Sequence, residues 1–178
     1  KDGWNESKEV RAIMAFLLSH GVSTARAFRI YKTYGDKAIQ AVRADPYCLA
    51  RDIRGIGFKT ADGVAAKLGI EKDSDLRARA GVEHVLMEVT NDGHCAFPRN
   101  ALVEKAGEVL DIDPPIIERA VNYGIEQKRL IEENHGEADN KLVFLAALYY
   151  AEKNLARHLK TLQATPHPCP PIDSEKAI

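Results

Sequence analysis

Cysteine is scarce and scattered: Cys48, Cys95 and Cys169 never form a C-x-x-C pair. An odd, widely spaced set is neither a disulfide framework nor a zinc site, and it reads as reduced cytosolic thiols. No apolar run approaches the roughly 20 residues of a membrane span, and no secretory leader pattern is present. Aromatic residues are few, at 7%. Net charge is almost missing as well: 25 Lys+Arg face 26 Asp+Glu over 178 residues. That balance excludes a uniformly basic coat for nucleic acid. With 45% hydrophobic and 29% charged residues, wholesale disorder is excluded too.

The near-zero sum hides two halves of opposite sign. Residues 1–70 hold 12 Lys+Arg against 7 Asp+Glu, and residues 71–178 hold 13 against 19. Such asymmetry marks a candidate nucleic-acid-facing module beside an acidic one. The chain begins at Lys1 without a Met and ends at Ile178 after TPHPCPP (165–171), which reads as an extended linker. It is expected to be a segment of something longer.

Apolar residues at helical spacing predict helices over 7–20 and 24–34, the second with Ala27, Phe28, Ile30, Tyr31 and Tyr34 inward. Ser23 stands at its N-cap and Gly35 at its end. A short helix is expected over 37–44, another from Pro46 as its first helical residue, and a third over 59–68. These make two helix–short hairpin–helix units in series, with hairpins HGVS and RGIGF.

Further helices are expected over 75–91, 99–110, 114–128 and 146–163, with a short strand at Cys95–Phe97 and a β-hairpin of LIEEN (130–134) and KLVFL (141–145). The order helix, strand, helix, helix, hairpin is that of a winged helix. The fold class is therefore mainly α: tandem helix-hairpin-helix units followed by a winged-helix-like domain with a small β-hairpin. The expected divisions are 1–72, 73–164 and a proline-rich linker at 165–178.

The most specific local pattern is Ile53-x-Gly55-Ile56-Gly57-x-x-x-Ala61. Glycines permit positive φ and remove side chains that would block a close ligand. Turn amides and the start of the next helix then face outward, which suits a DNA phosphate. Ile56 is expected to plug the two helices and Ala61 to let them approach. Lys59, Thr60 and Arg54 lie within reach of the same phosphate. The bland alternative is a tight helix–helix turn and nothing more. Arg51, Arg54, Lys59 and Lys67 favour the phosphate, as do the 9 Lys+Arg against 4 Asp+Glu in residues 20–67.

Gly21, Ser23, Thr24 and Arg26 form a weaker copy, in which Ser23 replaces the second glycine. Contacts of this kind fix position on DNA without reading sequence. A P-loop is excluded, because Phe58 occupies the place of the glycine that must precede Lys-Thr. No histidine, cysteine or carboxylate set makes a catalytic or metal site: His84 and His158 read as packing or surface residues, and Asp111 and Asp113 as helix-flanking caps. Helix 114–128 carries Glu118 and Glu126 beside Arg119 and Lys128, which disfavours a DNA-reading helix.

The stretch YKTYGDKAIQAVRADPYCLARDIRGIGFKTADGVAAKLGI, then DSDLRARAGVEHVL, the DGHCAFP turn and LVFLAALYYAEKNLARHLKTL, resembles the N-terminal region of RecD-like (RecD/TraA-type) bacterial DNA helicases. The resemblance covers nearly the whole chain. It implies an accessory region of a superfamily 1, 5′→3′ helicase that uses ATP and Mg²⁺. The motor that binds them is absent here, so no cofactor is expected in this segment. Implied partners are single-stranded or junction DNA, the motor domain in cis, and a further protein through the acidic half. The implied setting is cytoplasmic DNA repair or recombination. The alternative is a protein-interaction or autoregulatory module of the same helicase, in which the hairpins only pack helices. A stand-alone winged-helix regulator is a third, weaker reading.

Overall fold

The structure is a computed structural model that describes residues 2–134, 136 and 141–165. The expected linker lies, apart from Thr165, outside these residues. The chain is mainly α-helical with a small antiparallel sheet, as its periodicities imply. The first elements are α1 (Asp2–Ser19), α2 (Thr24–Tyr34), a 3-10 turn (Gly35–Lys37), α3 (Ala38–Ala44), α4 (Cys48–Asp52) and α5 (Phe58–Lys67). Then come α6 (Asp75–Asn91), β1 (Phe97–Pro98), α7 (Arg99–Leu110), α8 (Pro114–Glu126), β2 (Leu130–Asn134), β3 (Lys141–Leu145) and α9 (Ala146–Ala164).

Two local expectations change. Pro46 does not open a helix; α4 starts at Cys48. Asp45 Oδ1 accepts the Tyr47 amide at 2.9 Å, and the Cys48 amide bonds the Asp45 carbonyl at 3.1 Å. The aspartate therefore holds this turn tight, in i→i−3 form, until Cys48. Phe28 is 61% exposed instead of inward, because α2 buries only Ala27 and Ile30. The buried stripe of α2 is narrow, and Phe28 lies one residue, about 100°, round the helix from Ala27.

Two hydrophobic cores form. The first gathers Leu17, Ile30, Val42, Tyr47, Leu49, Ile53, Ile56 and Val64. The second gathers Val82, Val85, Leu86, Leu102, Leu110, Ile117, Leu130 and Val143. Phe58 packs against both. It stacks between Tyr47, centroid 5.7 Å away, and His84 on α6, 4.8 Å away, with interplanar angles of 16° and 14°.

The sheet runs β1-β3-β2, both pairs antiparallel. Phe97 and Glu132 flank the fully buried Val143 in register. Central in the second core, α6 packs on α5, α7 and α8. Gly81 is the residue that permits this: a Cβ there would stand 2.3 Å from Leu110 Cδ1 on α7. Leu110 is itself buried, so its side chain gives way only by disturbing the second core. Gly81→Ala is therefore expected to destabilise the chain by about 1–2 kcal/mol despite the helix propensity gained. In a thermal-melting series, adding Leu110→Ala should relieve part of that strain, so that the double variant loses less than the sum of the singles. Strict additivity would refute the clash.

Candidate nucleic-acid interface

The second hairpin is built by its glycines in two different ways. Gly55 has φ +89°, a region closed to most side chains. Gly57 has φ −96° and ψ 175°, ordinary extended backbone, and caps α5. Positive φ is thus required of Gly55 alone. What Gly57 supplies is space: a Cβ there would meet nothing within 4 Å.

Ile56, whose amide bonds the Ile53 carbonyl at 3.0 Å, is buried in the first core, and Ala61 is fully buried below it. The Thr60 and Ala61 amides both turn back to the Gly57 carbonyl at 3.1 Å. Those of Gly57, Phe58 and Lys59 donate to no acceptor among the described residues. They open the positive end of a ten-residue helix. Arg54 and Lys59 are exposed beside them, and Thr60 is half-buried.

The first hairpin repeats this geometry closely. Gly21 has φ +87°, Val22 is buried where Ile56 is, and Ala27 is fully buried where Ala61 is. Ser23 occupies the place of Gly57 in the same extended conformation, φ −68° and ψ 155°. Its side chain makes no capping hydrogen bond. Since the equivalent Gly57 has open space around it, serine there leaves the turn unchanged. Thr24 is exposed and Arg26 half-buried at the start of α2.

A feature outside local sequence logic joins the two turns. Arg29, on the helix after the first turn, donates from Nη1 to the Arg54 carbonyl of the second turn at 2.9 Å. Lys67, on the helix after the second turn, brings Nζ to within 2.9 Å of where a Gly21 Cβ would stand. Each glycine turn thus receives a cation from the helix that follows the other turn.

Charge is distributed unequally between the two halves in space as well as in count. In the second half Arg99 pairs with Glu132 at 2.5 Å, Arg119 with Asp75 at 3.1 Å, and Arg129 with Glu83 at 2.6 Å. Burial would raise the Glu132 carboxyl, but the hydrogen bond and charge of Arg99, with Lys141, hold it below the usual carboxylate range. Around the hairpins, Arg26, Lys32, Arg54, Lys59 and Lys67 form no ion pair among the described residues.

Sequence reasoning did not foresee the Tyr47–Asp62–Arg77 network. Asp62 Oδ1 accepts from Tyr47 Oη at 2.6 Å and from Arg77 Nε at 2.9 Å, while Arg77 Nη1 reaches the Leu110 carbonyl at 2.7 Å. The network fastens α5 to α6 and thereby sets the hairpin against the second core. No group of three His, Cys, Asp or Glu suited to a metal occurs among the described residues.

The family model described as the ATP-dependent RecD2 DNA helicase HHH domain matches residues 6–96, half of the chain. A curated relative, the ATP-dependent RecD2 DNA helicase of Deinococcus radiodurans, is 28% identical over 171 residues. The match covers 92% of this chain and 24% of that relative, so the chain spans about a quarter of its length. Both hairpins lie inside the matched range 6–96, and on that match the chain belongs to the RecD2 helicase HHH-domain family.

Proposed function

We propose that this chain is a DNA-contacting accessory region of an ATP-dependent helicase, holding backbone phosphates without reading sequence. The observation that carries the reading is the pair of glycine turns, each with outward amides and each approached by a cation from the other unit: Arg29, bonded to the Arg54 carbonyl, and Lys67, beside Gly21. Gly55, Ile56, Gly57, Lys59, Thr60, Ala61 and Arg54 form the better phosphate site. Gly21, Ser23, Thr24 and Arg26 form the second. ATP and Mg²⁺ belong to a motor domain outside this chain, and 5′→3′ unwinding in cytoplasmic repair or recombination is the whole-protein activity that the reading implies.

Binding of the chain to a short single strand and to a forked duplex over a salt series tests this. Two or three phosphate contacts should give log K falling against log[salt] with a slope of roughly −1.5 to −2.5. Salt-independent binding, or none at low salt, would overturn it.

A second reading, protein contact through the acidic half, is favoured by α9. None of its residues is buried, and Tyr150, Leu155, Leu159 and Leu162 are exposed along it. On either reading residues 73–164 act as a winged-helix-like support and do not read DNA sequence, since Arg119 on α8 and Arg129 beside it are matched by Asp75 and Glu83.

A further inference from the structure

Beside the second hairpin, between the two cores, lies a cleft of about 450 Å³, a volume ordinary for a small-ligand site. Gly57 forms part of its wall, so the turn proposed to hold a phosphate opens directly into it. Its floor is the Tyr47–Phe58–His84 ring stack. At the mouth stands Met87, 52% exposed, a polarizable side chain that adapts to flat rings.

Cations border the cleft on two sides. Arg51 and Arg129 line it, each already paired, with Asp45 at 2.5 Å and Glu83 at 2.6 Å; burial pushes the nearby His84 imidazole toward its neutral form, Glu88 opposes that and Lys59 adds to it. Glu83 also lines the cleft, its carboxylate held by Arg129 at 2.6 Å. A second cleft of about 410 Å³ shares Met87 and Arg129 and leads on to the start of α9.

Resting on the phosphate reading above, we propose that this cleft takes an unpaired nucleobase of the DNA strand whose phosphate sits on the second hairpin, stacked against His84 and Met87. An aromatic floor, a thioether lip, the exposed Lys59 close by and a shared wall with the phosphate site are what a single strand requires: a face for each base and charge for its backbone. A paired base cannot enter, so the cleft favours unpaired DNA. The preference is for the presence of a base, not for its identity, because every base has a π-face.

The test compares two labelled single strands of equal length and charge by fluorescence anisotropy: oligo-dT and the same strand made wholly of abasic units. The 178-residue chain should bind oligo-dT roughly tenfold more tightly. Two variants probe the cleft, His84→Ala, which removes the stacking face, and Met87→Trp, which fills the mouth from an exposed position. Each should bring the preference close to unity while affinity for the abasic strand and its salt slope stay unchanged. Should His84→Ala lower the melting temperature through loss of the Phe58 stack, Met87→Trp alone decides. Equal binding of the two strands by the unaltered chain assigns the cleft to another occupant and overturns the proposal, leaving the phosphate reading intact. A preference that persists in Met87→Trp overturns it equally. Failure to bind either strand at low salt overturns the phosphate reading and the base cleft together.

Discussion

Replacing Gly57 by glutamate is expected to weaken DNA binding by about tenfold or more at low salt while leaving the fold at least as stable. The two effects separate because of the local geometry. Gly57 has an extended φ of −96°, and a Cβ there meets nothing within 4 Å, so the backbone accepts a side chain without strain. A carboxylate at the cap of α5 sits beside the unpartnered amides of Phe58 and Lys59 and interacts favourably with them. It therefore occupies the place of the phosphate and adds repulsion. Loss of one phosphate contact should also make the salt slope shallower by roughly 0.7–0.9. Gly55 would be a poor choice for the same test. Its φ of +89° and the Arg29 Nη1 atom 3.1 Å from its would-be Cβ make Gly55→Val a folding defect as well as a binding one. Anisotropy titrations paired with thermal melting check the expectation. A Gly57→Glu chain that binds DNA with unchanged affinity and slope means the hairpin only packs helices.

Arg77→Ala should have the largest effect on stability, about 2–3 kcal/mol, seen as a fall of roughly 5–10 °C in melting temperature. Arg77 forms a two-pronged pair with Asp62, at 2.9 and 3.2 Å, and donates to the carbonyls of Lys72 at 2.9 Å and Leu110 at 2.7 Å. Its side chain is only 13% exposed and that of Asp62 26%. Truncation leaves Asp62 and two carbonyls without their donor, and Tyr47 Oη as the carboxylate's remaining partner. Arg77→Lys should restore less than half of the loss, because an ammonium cannot span the two carboxylate oxygens and both carbonyls at once. A melting temperature within about 1 °C of the unaltered chain would show that the two cores stay docked by Phe58 packing alone.

Much of the fold was legible because its determinants are local. Gly21, Gly35 and Gly55 each end or turn a segment with positive φ, as glycine patterns imply. Helices over 75–91 and 99–110 begin and end where their caps and periodicity put them. LIEEN and KLVFL pair as a hairpin over their whole length. Ser23 was less informative. Its departure from the glycine pattern suggested a degraded first hairpin, yet the turn around it matches the second. Gly57 needs no special φ, so exchanging it for serine changes what can approach the turn and not the turn itself.

What the sequence by itself determined is therefore the set of hairpins, the opposite charge of the two halves and the helix-rich class, all readable from spacing along the chain. Tertiary structure alone decided which charges remain available. Arg129 meets Glu83 across 46 residues, Arg119 meets Asp75 across 44, and Arg99 meets Glu132 across 33. No local pattern encodes such pairs, because a carboxylate neutralises whatever cation the packing of other elements brings beside it. The same packing carried Arg29 and Lys67 to each other's glycine turns and opened a cleft between two cores at Gly57. A one-dimensional count of charges became, by docking of α5 on α6, a surface of unpaired cations with a pocket at its edge.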